Sequence, residues 1–409
     1  MEPAASSCFS MKKFYGYIEG YYGRMLSWEN RHSLLDHMHS LHLNTYLYGP
    51  KEDPFHRHDW KAPYPKTWLS LFKDFVEQGE KRGITVIPSL SPGLSFDYTS
   101  EEDYAVCLAK FNTFVLCGAR YLTLFMDDIP EKLPDNCTDS FKSLGQAHAL
   151  LLARLQKDLR KKHPTVRLWF CPTVYCDQFA KTEIKSNEYL HDLAAQIPSD
   201  IALLWTGPKI VSPTITKKNI AEVSGIFKGN IIIWDNFYAN DYCPDRLFVG
   251  PFTGRSKTLL SSIKGLCINP TGLPNTDMLL LENLSVVITG KQSRRSASYL
   301  LKNNIQIPKE FKTIARFFQS PFARMRRIDL SIDNIARYKK ALHLLIWDWK
   351  SPLHREWYPY LFAIDRDLTL YDKMAAKGVT ETWLRKKYSP ALSEILIMKL
   401  SEKYMDEKQ

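Results

Sequence analysis

The sequence predicts an α/β protein, a (β/α)8 TIM barrel followed by a small all-helical C-terminal domain. Eight short runs rich in apolar and β-branched residues occur before residue 290, and amphipathic stretches lie between them. Nearly continuous apolar runs are typical of parallel strands covered on both faces, and eight strand–helix units favour a closed barrel over an open sheet. The chain also has neither GxGxxG nor GxxxxGK[ST], the glycine patterns of nucleotide-binding sheets.

Each predicted strand is followed by a stretch long enough for a helix. The helical pattern is clear at 28–41, 68–83 and 143–162. Gly83 and Gly118 follow helical runs, at positions where C-terminal caps commonly lie. The predicted strands occupy residues 14–20, 43–49, 84–90, 121–127, 166–172, 201–207, 230–236 and 265–270.

The strand pattern stops at about residue 295, which predicts three parts. Residues 1–12 form a flexible N-terminus, 13–295 the catalytic barrel and 296–409 the helical domain. Helical spacing of apolar residues is clearest at 331–349, and 357–374 and 379–388 continue the pattern. The predicted buried stripe consists of Ile332, Ile335, Tyr338, Leu342, Leu345, Ile346 and Trp349. The dense apolar run Trp357, Tyr358, Tyr360, Leu361 and Phe362 is expected either to pack on the barrel or to leave a surface for another subunit.

Composition sets limits on the function. Hydrophobic residues form 44% and charged residues 24% of the chain, as in ordinary globular proteins. No apolar run approaches the length of a membrane-spanning helix, and the N-terminus lacks the apolar core of a signal peptide, so a cytoplasmic (or, in a eukaryote, nuclear) location is expected. The net charge of +11 is spread along the chain and does not favour nucleic-acid binding. The eight cysteines lack CxxC spacing, which predicts buried reduced thiols.

An acidic pair follows the fourth predicted strand. The carboxyl ends of barrel strands form the face that carries the active site, and Asp127 and Asp128 stand at that point. Two neighbouring carboxylates resist ionising together, so one is expected to keep its proton and to act as a general acid near neutral pH. A helix cap, an ion pair and a Mg²⁺ site are the alternatives for such a pair. Its position among other polar strand ends favours acid–base chemistry.

The other strand ends predict a small-ligand site. Trp234 and Tyr175 offer aromatic faces on which the apolar faces of a sugar ring can stack, although a tryptophan by itself is more often a core residue. A pocket with apolar walls and a few polar groups is typical of small-molecule sites. Candidates for binding sugar hydroxyls are Lys51, Asn236, Asp241 and Asn269.

These residues lie in segments that resemble glycoside hydrolase family 84, which contains the O-GlcNAc hydrolases and related bacterial β-N-acetylglucosaminidases. The resemblance covers about residues 14–295, and nine motifs occur in the family's order. They are EGYYGR, NTYLYGPKED, LSPGLSF, LFMDDI, CPTVYC, LWTGPK, IIWDNFYANDY, RLFVGPFTGRS and the late Asn-Pro pair. The resemblance implies a (β/α)8 catalytic domain with a helical domain after it, as the residue pattern does.

The resemblance also implies a retaining mechanism in which the substrate's own 2-acetamido oxygen is the nucleophile, an exception to the usual use of two carboxylates. Asp127 would orient the acetamido N–H, and Asp128 would protonate the leaving oxygen and then activate the water that opens the oxazoline. Tyr175 would bond the acetamido oxygen. Cys171, Thr206 and Trp234 would surround the acetyl methyl group, and Gly20 (through its carbonyl), Lys51, Asn236, Asp241 and Asn269 would hold the sugar hydroxyls.

The predicted function is therefore the removal of O-linked GlcNAc from proteins, with O-GlcNAc-modified proteins or GlcNAc glycosides as substrates. A hydrolase of GlcNAc-containing glycans and an inert glycopeptide-binding module are the alternatives; the presence of Asp127, Asp128 and Tyr175 argues against an inert module. No metal or organic cofactor is expected, because the chain lacks clustered His and Cys ligands and phosphate-binding glycine loops. The resemblance further implies that the C-terminal helices pair two subunits, so a homodimer is expected.

Overall fold

The computed structural model describes residues 13–181, 183–289, 307–322 and 329–375. In these ranges, eight parallel strands close a barrel in sequence order, with the first strand paired to the last. This confirms the predicted fold class, and every strand lies inside a predicted run. The strands are β1 Phe14–Glu19, β2 Thr45–Tyr48, β3 Thr85–Leu90, β4 Tyr121–Phe125, β5 Arg167–Cys171, β6 Ala202–Trp205, β7 Ile231–Asp235 and β8 Gly265–Ile268.

A helix follows each strand and covers the outside of the barrel. Local signals define several of the helix ends: Ser27, Ser100 and Ser143 each accept a backbone N–H three residues ahead, as N-caps do. Gly83 and Gly118 have φ of 72° and 101°, the left-handed conformation of a C-terminal cap. The helices are α1 Trp28–Ser40, α2 Lys66–Lys81, α3 Glu101–Leu116, α4 Leu144–Lys162, α5 Glu188–Gln196, α6 Lys217–Ile226, α7 Lys257–Ser262 and α8 Pro274–Thr289.

A small cluster of buried side chains fills the barrel. Alternate residues of each strand point inward, and Ile18, Leu47 and Ile87 are among those that meet there. The same cluster includes Cys171 and Trp234, which come from the carboxyl ends of β5 and β7. The interior packing is therefore continuous with residues of the predicted site.

After the barrel, the described residues contain three further α-helices: α9 Phe311–Ile314, α10 Ile332–Trp347 and α11 Pro352–Ala375. α10 packs on α11, and α11 packs on α8 of the barrel. Six members of the predicted stripe are buried, but the prediction was wrong for Ile332, which is 83% exposed. Ile332 is the first residue of α10, and helical side chains lean towards the N-terminus, so no preceding turn of the helix lies beside it.

The dense apolar run is mostly covered by the chain itself. Trp357, Tyr360 and Leu361 are buried, whereas Phe362 is 46% exposed and Tyr358 is half-buried. The run therefore packs largely on its own protein. The homodimer stays a prediction. The predicted domain bounds also stay predictions, because residues 1–12, the boundary at 295 and the segment 379–388 lie outside the described residues.

Two predictions from composition have structural counterparts. Seven of the eight cysteines fall in the described ranges, and all seven are buried free thiols, as expected. No helix in the described part of the chain is long and apolar enough to cross a membrane. The expected cytoplasmic or nuclear location stays a prediction.

Candidate active site

The structure brings all eleven predicted site residues to one pocket. The pocket has a volume of about 260 Å³ and opens at the carboxyl ends of the strands. Residues from loops after seven of the eight strands meet there, which is the usual arrangement at this face of a barrel. The predicted residues on its wall are Gly20, Lys51, Asp127, Asp128, Cys171, Tyr175, Thr206, Trp234, Asn236, Asp241 and Asn269.

A turn after β4 places both aspartates on the pocket wall. β4 ends at Phe125, and Asp128 has φ of 55°, in the left-handed region that aspartate tolerates better than most residues. In an extended strand, successive side chains would point to opposite faces. The turn removes this alternation, so Asp127 and Asp128 both line the pocket.

Asp127 forms a buried ion pair with Lys51. The Nζ atom of Lys51 lies 2.6 Å from Oδ2 of Asp127, and both side chains are buried. An ion pair was one alternative interpretation of the neighbouring aspartates. Asp127 does form an ion pair, and this pair lies in the wall of the pocket. The other carboxylate oxygen, Oδ1, is buried and has no hydrogen-bond partner among the described residues. Buried polar atoms are almost always paired, so Oδ1 is an unsatisfied acceptor in a residue that lines the pocket.

Asp128 accepts hydrogen bonds from two tyrosines. Tyr22 donates its hydroxyl to Oδ2 at 2.5 Å, and Tyr175 donates its hydroxyl to Oδ1 at 3.0 Å. Burial, and then the negative charge of Asp128, raise the pKa of Tyr175 well above its usual value. Tyr175 therefore keeps its proton at neutral pH and remains a hydrogen-bond donor.

A chain of amide contacts forms the opposite wall. Trp234 donates its indole N–H to Oδ1 of Asn236 at 2.8 Å, and Asn269 donates to the same oxygen at 3.0 Å. Asn269 in turn accepts the backbone N–H of Gly20 at 3.2 Å. A Cβ atom at position 20 would lie 2.4 Å from the Trp234 ring, so this close approach requires glycine. The network fixes the orientation of the indole that faces the pocket.

Asp241 joins the loops after β1 and β7. Its carboxylate accepts the backbone N–H of Tyr22 at 3.0 Å and that of Tyr242 at 2.9 Å. Burial raises the pKa of Asp241, and these two hydrogen bonds oppose the shift. Asp241 thus lies on the pocket wall in a position to accept a ligand hydroxyl.

The base of the pocket is apolar on one side. The Trp234 ring packs edge-on against Phe125, with ring centroids 5.3 Å apart. Thr206 also lines the pocket, and it donates its hydroxyl to the carbonyl of Lys209 at 2.9 Å, so that its proton is used within the chain. Burial raises the pKa of the Cys171 thiol well above its usual value, so it stays a neutral side chain. These surfaces suit a small apolar group such as a methyl.

Sequence reasoning missed several residues of the wall. Tyr22 is the most important, because it contacts Asp128 directly. It stands two residues after Gly20 in the EGYYGR motif, so its position at the end of β1 was a usable signal. The other missed residues are Ile210, Val211, Ala239 and Tyr242. In the described part of the chain, no group of three or more His, Cys, Asp or Glu side chains could hold a metal ion.

The closed barrel and the paired aspartates at its carboxyl-terminal face fit one class of protein, the (β/α)8 glycoside hydrolases. A profile of the beta-N-acetylglucosaminidase family matches residues 15–308, well over half of the chain. The chain therefore belongs to the beta-N-acetylglucosaminidase family, glycoside hydrolase family 84, as its motifs indicated.

Its relatives include mammalian O-GlcNAcases, and a bacterial O-GlcNAc hydrolase shares its fold. The proteins named protein O-GlcNAcase of Rattus norvegicus and of Mus musculus are each 33% identical over 255 residues, 62% of this chain. The match spans only 28% of the length of these two relatives. A solved structure of a mutant O-GlcNAc hydrolase from Thermobaculum terrenum has the same fold, with a TM-score of 0.78 and 23% identity over 95% of this chain and 94% of that chain.

Proposed function

We propose that this chain is a retaining exo-β-N-acetylglucosaminidase that removes O-linked GlcNAc from serine and threonine side chains of proteins. The observation that carries the proposal is the different setting of two neighbouring carboxyl groups in one pocket: Lys51 holds Asp127, and two tyrosine hydroxyls hold Asp128. Different settings allow neighbouring carboxyl groups to perform different proton-transfer roles. Membership of the family and the names of the rat and mouse relatives support a GlcNAc-bearing protein as the substrate.

Asp127 would act on the substrate's acetamido group. Lys51 occupies one carboxylate oxygen, so the unpartnered Oδ1 is left to accept the acetamido N–H. This hydrogen bond would orient the acetamido oxygen towards the anomeric carbon and increase its electron density. The oxygen would then attack, and the bond to the serine or threonine oxygen would break as a cyclic oxazoline forms.

Asp128 would supply and then remove the proton. In the first step it would protonate the departing side-chain oxygen, and in the second it would take a proton from the water that opens the oxazoline. Tyr175 would transfer its hydrogen bond from Asp128 to the acetamido oxygen when the substrate binds. Asp128 would then keep the hydrogen bond from Tyr22 on Oδ2, and its Oδ1 would be left to face the departing oxygen.

The rest of the pocket would recognise the sugar. Trp234 would stack on the apolar face of the ring, and Cys171 and Thr206 would surround the acetyl methyl group. The carbonyl of Gly20 and the side chains of Lys51, Asn236, Asp241 and Asn269 would bind hydroxyls. A cavity of about 260 Å³ suits one monosaccharide unit, which supports exo-acting rather than internal cleavage.

The experiment is to compare three substrates: 4-nitrophenyl β-GlcNAc, 4-nitrophenyl β-glucoside and an O-GlcNAc peptide. The proposal expects cleavage of the first and third with release of the β-anomer, seen by NMR, and no cleavage of the glucoside, which lacks the acetamido nucleophile. Asp128→Asn should be inactive on the peptide, and the same change at the exposed Asp139 should have no effect. Equal cleavage of the glucoside would exclude substrate assistance, and cleavage of GlcNAc oligosaccharides but not of the peptide would replace the protein substrate by a glycan.

A further inference from the structure

A hydroxyl group from the C-terminal helices lies directly behind the active-site loops. Tyr360 of α11 is 4% exposed, and its hydroxyl oxygen accepts two hydrogen bonds from the barrel. Arg24 donates its Nη2 at 2.9 Å, and Asn240 donates its Nδ2 at 3.0 Å. Tyr360 does not line the pocket, but its two partners belong to loops that do.

Three loops of the catalytic face meet at this point. Arg24, in the loop after β1, also donates to Oδ1 of Asn240 in the loop after β7, at 3.1 Å. A second hydrogen bond runs from Arg24 to the carbonyl of Thr271, in the loop after β8. Asn240 is fully buried and also donates to the carbonyl of Arg246. The Tyr360 hydroxyl therefore completes a polar cluster between the three loops.

A second contact, one helical turn before Tyr360, holds α11 in place on the barrel. The carboxylate of Glu356 accepts the backbone N–H groups of Asn275 and Thr276 at 2.9 and 2.7 Å, in the first turn of α8. It thereby satisfies N–H groups that a helix start leaves unpaired. The indole of Trp357 donates to the Thr276 hydroxyl at 2.9 Å. Since residues four apart lie on one face of a helix, Glu356 fixes the placement of the Tyr360 side chain.

The neighbours of Arg24 and Asn240 are functional residues of the pocket. Tyr22, two residues before Arg24, donates its hydroxyl to Asp128, and Asp241 directly follows Asn240. The backbone N–H of Tyr22 and the carboxylate of Asp241 join the two loops at 3.0 Å. A shift of either loop would therefore change both the donor to the acid and a candidate sugar contact.

We propose that Tyr360 is a positioning residue for the active site: its hydroxyl holds Arg24 and Asn240, and through them the two loops that carry Tyr22 and Asp241. The inference rests on the proposed function, because it assigns those two residues their roles in catalysis. It also gives the C-terminal helices a part in the chemistry of the same subunit. The catalytic unit then includes α11 as well as the barrel.

The test is Tyr360→Phe, which removes the hydroxyl and keeps the ring. Tyr358→Phe is the matched control, since it removes a hydroxyl from a half-buried ring of the same helix that packs on Phe362. We expect Tyr360→Phe to lower kcat/KM for 4-nitrophenyl β-GlcNAc by roughly tenfold, the scale of one hydrogen bond to a charged group. The control should be unchanged, and both thermal midpoints should stay within a few degrees of the wild type.

Two further measurements separate positioning from general stability. The double variant Tyr360→Phe/Asp241→Asn should lose much less kcat/KM than the product of the two single-variant losses. Both changes act on the same contact, the hydrogen bond from the Tyr22 N–H to Asp241. Hydrogen exchange of the Tyr22 amide, which Asp241 protects, should be about tenfold faster in Tyr360→Phe. Unchanged exchange and unchanged kinetics would overturn the inference, as would fully multiplicative losses. If the wild type hydrolyses no GlcNAc substrate, the proposed function fails, and the exchange measurement still decides whether Tyr360 holds the loops.

Discussion

Acidic residues end or follow several strands of the barrel, and they have two different environments. Glu19, at the end of β1, forms two hydrogen bonds of 2.9 and 2.8 Å with the guanidinium of Arg31 and accepts the Tyr46 hydroxyl at 2.6 Å. Asp235, at the end of β7, is bound in the same two-pronged way by Arg255 at 2.7 and 2.8 Å. Every carboxylate oxygen of these two residues has a partner within the chain.

Asp127, which follows β4, is paired incompletely. One of its oxygens meets Lys51, and the other has no partner among the described residues although it is buried. Other buried atoms also lack partners in this part of the chain, among them Nε2 of His56, but His56 does not line the pocket. The comparison teaches that an acidic residue at a strand end does not by itself mark a catalytic site. What distinguishes Asp127 from Glu19 and Asp235 is an unpaired carboxylate oxygen in a residue that lines a cavity.

The largest effect on kcat/KM is expected when aspartate is replaced by asparagine in each of the two environments. Asp127→Asn and Asp235→Asn each break a buried ion pair, so each should lower the free energy of unfolding, by about 3–5 kcal/mol. Only Asp127→Asn should also lower kcat/KM for 4-nitrophenyl β-GlcNAc, by about 10³-fold, because of the two residues only Asp127 lines the pocket. Denaturant unfolding and steady-state kinetics at a temperature where both variants are folded provide the two measurements. A 10³-fold loss in Asp235→Asn, or none in Asp127→Asn, would break the distinction.

A smaller effect is expected at Asp128, whose two partners are hydroxyls of the pocket itself. Tyr22→Phe and Tyr175→Phe each remove one donor to its carboxylate. Each should lower kcat/KM by about tenfold, the scale of a hydrogen bond to a charged group, with little change in the free energy of unfolding. Tyr175→Phe should cost more, since that hydroxyl would also bond the acetamido oxygen. If both variants had the same kcat/KM as the wild type, the two tyrosine hydroxyls would have no effect on the function of Asp128.

The smallest effect on catalysis is expected from a fully paired buried group that does not line the pocket, although this group affects the stability of the fold. His148 contacts the hydroxyls of Tyr98 and Tyr189 through its two ring nitrogens, and burial lowers its pKa to about 3. Below about pH 6.5 the unfolded chain takes up a proton at this histidine and the folded chain does not. The free energy of unfolding should therefore fall between about pH 6.5 and pH 3, by about 1.4 kcal/mol per pH unit from this group. Denaturant titrations should show a shallower slope for His148→Gln; an unchanged slope would contradict the assignment.

The fold was predictable because each strand has its own local signal. All eight strands lie inside the predicted runs, and glycines mark the ends of helices at Gly83 and Gly118. The errors in the C-terminal region have a physical cause. A helical stripe does not tell where the first turn lies, so Ile332 was wrongly expected to be buried. Whether a dense apolar run is covered depends on neighbours distant in sequence, as the burial of Trp357 against α8 illustrates.

The residues of the pocket were predictable from strand ends and motifs, but their partners were not. Lys51 was expected to hold sugar hydroxyls, and its ion pair with Asp127 joins residues 76 positions apart. The contact of Arg24 with Tyr360 spans 336 positions. No local pattern records such distances, and only the closed barrel and the docked α11 bring these side chains together.

The division of labour between the two aspartates is the central claim, and one kinetic series tests it most directly. Asp127→Ala and Asp128→Ala should be assayed on aryl β-GlcNAc substrates whose leaving phenols range from acidic to weakly acidic. The loss in Asp128→Ala should be small for the most acidic phenol and grow as the leaving group worsens, because a good leaving group needs little protonation. The loss in Asp127→Ala should be similar along the series, since the internal nucleophile is impaired in every case. A steep dependence for Asp127→Ala with a flat one for Asp128→Ala would reverse the roles, and flat losses in both would contradict the assignment of Asp128 as the acid.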